Sequence, residues 1–219
     1  VLIMIFKERW QLFAFIPSIL LILAVGLAKI MLQLPVYLFI GDVFAIADIH
    51  PFAGLLSNVG AFMWCATAAI CFFAAGALRQ TKNYKVIHFL LASGWLSTYL
   101  LIDDFFLFHE ELAPKYLGIS QNMVLMLIVI AVMAYLAWFR RIILRTRYEF
   151  MLIAVGFLAI SVIVDAVLGP WLLPLGEWTS LIEDGAKLLG ITSWLSYYIT
   201  AAYRLLLDKF CLRAESLAE

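Results

Sequence analysis

The sequence from residue 54 to residue 108 decides the fold. It reads GLLSNVGAFMWCATAAICFFAAGAL (54–78), then RQTKNYK (79–85), then VIHFLLASGWLSTYLLIDDFFLF (86–108). Each apolar run exceeds the roughly 20 residues that a helix needs to cross the hydrocarbon core of a bilayer. The basic stretch between them is typical of a loop at a membrane surface. This segment therefore predicts two transmembrane helices joined by a short loop.

The composition of the whole chain agrees with a membrane protein. Of its 219 residues, 66% are hydrophobic, whereas soluble domains are roughly 45–50% apolar. A soluble domain of this size leaves much of its surface in water and could not hide so much apolar area. The formal net charge is zero, and a nucleic-acid-binding protein would normally have a basic excess.

The same length criterion predicts six membrane-spanning helices in all. They are Trp10–Gln33, Gly54–Leu78, Val86–Phe108, Gln121–Phe139, Phe150–Leu168 and Trp178–Leu206. We expect an all-α integral membrane protein, a six-helix bundle in which residues 1–219 form a single polytopic domain. The first run is followed by no small-residue cleavage motif, so we expect it to be retained rather than removed as a signal peptide. The apolar connection Pro35–Pro51 is predicted to be a short interfacial or re-entrant segment between helices 1 and 2.

The basic residues predict the orientation of the bundle. Twelve of the 15 Lys and Arg residues lie at the chain ends or in the second and fourth connections, which alternating helices place on one side. The positive-inside rule assigns that side to the cytoplasm. Both termini are therefore predicted to be cytoplasmic. We expect a multi-pass protein of the plasma (inner) membrane that contacts the lipid bilayer.

Acidic residues recur at one depth of the predicted bundle. With a rise of about 1.5 Å per residue, Asp103 and Asp104 lie roughly 26 Å along the third span and Asp165 roughly 22 Å along the fifth. Glu183 and Asp184 lie roughly 8 Å into the sixth span, which enters from outside, and Lys187 is about one turn deeper. Five carboxylates from three helices are thus predicted to share the outer half of the membrane. Asp103 and Glu110 are seven residues apart, as are Asp104 and Glu111, so each of these two pairs is predicted to share a helix face.

Such a layer suggests cation or proton handling. A charge at membrane depth costs several kcal/mol unless it faces the bundle interior, water or a partner. Five like charges require that some carboxylates hold protons or that a cation, a divalent metal or sodium, binds among them. We therefore expect a channel or transporter that binds and translocates a cation or proton, with Lys187 as the internal counter-charge.

A purely structural interpretation of the same residues remains open. Glu183 and Lys187 are four apart, in the order that favours an ion pair within one helix. Asp103 and Asp104 could lie at the membrane interface, where water would solvate them, and Asp165 could accept hydrogen bonds from aromatic side chains. The structural interpretation explains one pair easily, but five acids at one depth less well.

Two further functions remain as alternatives. A metal-dependent membrane hydrolase would use His50, His109 and Glu110, with aspartates of the acidic layer, because catalytic zinc typically has three protein ligands and a water. A non-catalytic subunit of a membrane complex would explain the aromatic content of 15%. The sequence leaves open the identity of the ion and whether the chain forms a homo-oligomer.

Overall fold

The computed structural model describes residues 15–41, 43–50, 52–81, 83–168 and 176–218. Within these residues the secondary structure is helical and contains no strand. The chain divides into two compact units, Val1–Ala53 and Gly54–Glu219. The described part of the first unit contains α1 (Ile16–Met31), followed by the short helices α2 (Tyr37–Ile40) and α3 (Val43–Ala47).

The described part of the second unit contains five long helices and two π-helical segments. Their order is α4 (Leu55–Ala77), α5 (Tyr84–Phe106), a first π-helix (Phe108–Leu117), α6 (Gln121–Ile143), α7 (Tyr148–Ile163), a second π-helix (Val164–Leu168) and α8 (Glu177–Ala218). A single 3₁₀ turn, Arg79–Thr81, joins α4 to α5.

Four of these helices are long and apolar enough to cross a membrane, which supports the prediction of a membrane protein. They are Leu55–Ala77, Tyr84–Phe106, Gln121–Ile143 and Tyr148–Ala166, and they correspond to the second to fifth predicted spans. Of the first predicted span, residues 10–14 lie outside the described residues, and α1 is a shorter apolar helix. The sixth lies within α8, where Ser, Thr and Tyr replace many aliphatic residues and lower the hydropathy.

The core of the second unit forms where α4, α5, α7 and α8 pack together. Small residues allow the helix backbones to approach closely. A Cβ atom added at Gly190 of α8 would lie 2.7 Å from Cγ of Leu158 on α7, and one added at Gly94 of α5 would lie 2.7 Å from the ring of Phe72 on α4. Glycine is therefore needed at both crossings.

A chain of buried hydroxyl groups runs through this core. The Tyr135 hydroxyl of α6 lies 2.6 Å from Oγ of Ser93 on α5 and 2.6 Å from the hydroxyl of Tyr198 on α8. Because each of these three hydroxyl groups has a hydrogen-bond partner, the polar groups are satisfied inside the apolar core. This hydroxyl chain connects the carboxyl-terminal half of α6 to the rest of the unit.

The amino-terminal half of α6 packs against a different element. Val124 and Ile128 of α6 form a small apolar cluster with Ala113 of the first π-helix. By contrast, α6 and α7 make almost no backbone contact with each other, although they are consecutive along the chain. A cleft therefore separates these two helices within the second unit.

Candidate functional site: an acidic cavity between helices

The site begins at the end of α5, where two adjacent aspartates are both buried. Oδ1 of Asp103 accepts a hydrogen bond from the backbone N–H of His109 at 3.1 Å, and Oδ2 lies 2.7 Å from Nδ1 of the same residue. The Asp103 carboxylate therefore contacts both the imidazole ring and the backbone N–H of His109. This double contact fixes the orientation of both side chains.

The backbone around Leu107 explains how His109 reaches Asp103. The α-helix ends at Phe106, and Leu107 adopts a left-handed conformation with φ 50° and ψ 46°. Residues other than glycine seldom adopt this conformation, because their Cβ atom is crowded by the neighbouring carbonyl oxygen. The first π-helix then starts at Phe108. The shared helix face predicted for Asp103 and Glu110 assumed a continuous helix. The helix is interrupted at Leu107, and Asp103 contacts His109.

The charges around His109 determine its protonation. Burial lowers the pKa of the His109 ring, but the hydrogen bond and charge of Asp103 raise the pKa by more, and the charge of Glu110 adds to this effect. Lys187 opposes them, and the net result is a His109 pKa above its ordinary value. Nε2 of the ring lies 3.6 Å from Oε1 of Glu110. The arrangement therefore favours an imidazolium ion flanked by two carboxylates.

The second aspartate has a different partner. The ammonium group of Lys187, on α8, forms an ion pair with Oδ1 of Asp104. Within the described residues no hydrogen-bond donor contacts Oδ2 of Asp104, although the residue is only 8% exposed. A Cβ atom added at Gly60 would lie 3.6 Å from this oxygen, so a glycine of α4 leaves the space beside it open. Lys187 thus pairs between two helices, and not with Glu183 as the structural interpretation of the sequence allowed.

These pairs line one end of a cavity of about 330 Å³ within the second unit. The second π-helix contributes Asp165, and α8 contributes Glu183. Five carboxylates, one lysine and one histidine border the cavity: Asp103, Asp104, Glu110, Asp165, Glu183, Lys187 and His109. Because the carboxylates outnumber the basic groups, this end of the cavity is acidic.

Most residues predicted from the sequence lie at this cavity, and two do not. Asp184 is half-buried beside Glu183 but does not line the cavity. His50 belongs to the first unit, where its Nδ1 accepts a hydrogen bond from the backbone N–H of Phe52 at 3.3 Å. In the described part of the chain, no three His, Cys, Asp or Glu side chains are arranged to hold a metal ion.

The sequence interpretation missed the rest of the cavity wall. Aliphatic side chains of α6 and α7 also line it, among them Ile128, Val132, Val155 and Leu158. Val132 and Val155 lie midway along their helices, away from the helix ends that carry the charged residues, so the cavity has a second, apolar end. The indole rings of Trp64 and Trp194 also border it, with their centroids 5.8 Å apart, and Nε1 of Trp194 donates a hydrogen bond to Ser97. Periodic apolar residues look alike along a membrane helix, so no local signal separates those that face a cavity.

Comparison with known proteins places the chain in a family without adding a relative of established activity. No curated protein and no solved structure matches it. Residues 14–201, which include every ionisable residue of the cavity, match the family described as "Domain of unknown function (DUF8692)". The chain belongs to this DUF8692 family.

Proposed function

We propose that the chain is a multi-pass membrane protein that binds a cation or proton in the acidic cavity and translocates it across the bilayer. The proposal includes the six-span bundle with both termini in the cytoplasm, and the second unit supplies the site. The positive-inside distribution of Lys and Arg supports this orientation. The acidic end of the cavity then faces away from the cytoplasm and would concentrate cations from that side.

The buried carboxylate of Asp104 is the observation on which this proposal rests. An ionised carboxylate away from water is costly unless it is fully paired and hydrogen-bonded. Here only Oδ1 contacts a positive group, and further carboxylates border the same space. An added cation or proton would therefore relieve an electrostatic cost, and its departure would restore the pair of Asp104 with Lys187. Reversible binding of this kind is what a carrier requires.

Ion flux in proteoliposomes tests the proposal. Vesicles loaded with a pH-sensitive or sodium-sensitive dye should report flux driven by an imposed gradient, above the leak of empty vesicles. Asp165→Asn and Glu183→Gln should each lower this flux at least tenfold, because each removes a charge at the cavity. Glu149→Gln is the matched control, since Glu149 is exposed at the opposite end of α7 and its loss should leave flux unchanged. Flux that is absent, or that survives both cavity variants, would contradict the proposal.

A metal-dependent hydrolase is the second candidate, and it would require His109 in its neutral form rather than as an imidazolium. A carboxylate that holds Nδ1 of a histidine, as Asp103 does, commonly orients the other ring nitrogen toward a metal. Elemental analysis of the purified protein should then find stoichiometric metal that His109→Ala removes, while His88→Ala retains it. Protein that contains no metal after purification in zinc- and manganese-supplemented buffer would exclude this second candidate.

A further inference from the structure

The cavity has two chemically different ends, and the apolar one offers few ligands to a small ion. Ion coordination requires oxygen or nitrogen ligands at short distances, but the side chains of α6 and α7 that line the cavity are all apolar except that of Ser161. A volume of about 330 Å³ also far exceeds one dehydrated ion. Mostly apolar cavities of about 300–1,000 Å³ with a few polar groups are typical sites for organic ligands.

We propose that the cavity binds an amphipathic organic cation, with an ammonium headgroup beside Asp104 and an apolar tail between α6 and α7. This inference rests on the proposed cation function and names the class of cation. The ligand is defined by its chemistry, a positive head on a hydrocarbon chain, whether it is a lipid of the bilayer or a free amphiphile.

The acidic end supplies a negatively charged site for the headgroup. Asp104 borders the cavity, and no donor in the described residues contacts its buried Oδ2. Even with a proton on His109, the carboxylates at the cavity outnumber the basic groups by five to two. The site therefore selects a positive headgroup over an anionic one.

Two indole rings extend the headgroup site toward the apolar end. Trp64 and Trp194 both border the cavity and are nearly fully buried. The hydrogen bond from Nε1 of Trp194 to Ser97 holds that ring in place. Ring faces attract ammonium groups, most strongly when they are shielded from water. The rings lie beside the carboxylates, so an amine that reaches them would be stabilised by a carboxylate and by aromatic rings together.

The weak contact between α6 and α7 gives the tail its access route. Met133 of α6 and Ile163 of α7 line the cavity and are 56% and 47% exposed. Within the second unit both helices thus contribute exposed apolar residues to the cavity lining. A hydrocarbon tail that enters between the two helices would contact these apolar side chains.

Binding to the whole chain in lipid nanodiscs tests the inference, with empty nanodiscs as the blank. The probes are octyltrimethylammonium, which has head and tail, tetramethylammonium, which has the head alone, and octanoate, which has the tail with an anionic head. Octyltrimethylammonium should bind saturably, and at least tenfold more tightly than either of the others. Equal binding of octanoate, or no saturable binding of octyltrimethylammonium, would overturn the inference.

A variant of the apolar wall tests the tail site without touching a charge. Val132→Phe should fill the space between α6 and α7 and weaken octyltrimethylammonium binding about tenfold. Leu127→Phe makes the same kind of change on an exposed part of α6 that does not line the cavity, and it should bind like the unmodified chain. Val132→Phe protein that folds and binds normally would also overturn the inference.

The two proposals fail in different ways. If gradient-driven flux depends on Asp165 and Glu183 but octyltrimethylammonium does not bind, the cation function stands and the organic ligand is wrong. If octyltrimethylammonium binds in the expected order but flux is absent, the site stands and translocation is wrong.

Discussion

Lys187 of α8 forms its ion pair with Asp104 of α5, not with Glu183 one turn earlier on its own helix. The pair therefore connects two helices at the buried end of the cavity. Lys187 is partly exposed, whereas Asp104 is buried, so the aspartate depends more on the partnership. Its charge has to be balanced either by this lysine or by something else that enters the cavity.

Removal of the lysine should destabilise the fold. Lys187→Met leaves the Asp104 carboxylate buried without its positive partner, and losses of about 3–5 kcal/mol are typical of a buried pair broken on one side. The double variant Asp104→Leu/Lys187→Met should recover most of this loss, because no charge is then left uncompensated. Thermal unfolding in detergent measures both, and Lys85→Met, at an exposed site, is the control. Additive effects in the double variant would contradict the pairing.

The His109 site should make stability depend on pH. Burial and the charge of Lys187 lower the pKa of His109, but Asp103 and Glu110 raise it by more, so the folded pKa lies above its ordinary value. The imidazolium therefore stabilises the fold fully below about pH 6.5, the ordinary histidine pKa. This contribution is lost as the pH rises through the higher folded value.

Unfolding temperatures measured from pH 5.5 to 9 check this dependence. Asp103→Asn should weaken the dependence, because it removes the charge that holds the proton, and His109→Gln should abolish the His109 contribution. The matched control is His88→Gln, since His88 is exposed on the first turns of α5. A pH profile that is the same in His109→Gln and in the unmodified chain would be inconsistent with the site.

The crossing of α7 and α8 should not tolerate a side chain at Gly190. An added Cβ atom would lie 3.0 Å from the backbone nitrogen of Leu158 as well as against its side chain. The backbone cannot move aside easily, so Gly190→Ala should cost about 1–3 kcal/mol, as overpacking does. Gly156→Ala on α7 has open space around the new atom and should be neutral or stabilising by up to about 1 kcal/mol. Chemical denaturation of the two variants compares them directly.

The hydroxyl chain should contribute to the attachment of α6. Tyr198→Phe removes the partner of the Tyr135 hydroxyl, and a lost buried hydrogen bond costs about 1–3 kcal/mol. Tyr203→Phe changes an exposed tyrosine on the same helix and should stay within about 0.5 kcal/mol of the unmodified chain. Thermal unfolding measures both variants. Equal effects would show that the hydroxyl chain adds nothing to stability.

Hydropathy predicted the helices because it is a local property of each run. The four spans from Gly54 to Leu168 needed only length and composition, and the structure places helices there within a few residues of the predicted bounds. The sixth differs because α8 faces the core largely with Tyr197, Tyr198 and Trp194, which hydropathy scales rank below aliphatic residues. A hydropathy scale cannot tell such a core-facing helix from a less apolar one.

The acidic cluster was also predictable, but its pairing was not. Depth along each helix follows from residue spacing, which brought Asp103, Asp165 and Glu183 to one level. The pairing of Lys187 with Asp104 depends on how α8 lies beside α5, and that is a tertiary property. The turn at Leu107 gave no signal at all, because a leucine in left-handed conformation has no characteristic neighbour in the sequence.

The first π-helix gives the cavity a mechanical property. It carries His109 and Glu110 on its first turn and, through Ala113, holds the part of α6 that presents Ile128 to the cavity. Charged and apolar residues of the cavity lining therefore belong to one packed assembly, which α5 holds through the bend at Leu107 and through the contacts of Asp103 with His109. A displacement of this segment would therefore move His109, Glu110 and Ile128 together, so the charged and the apolar lining of the cavity are mechanically coupled.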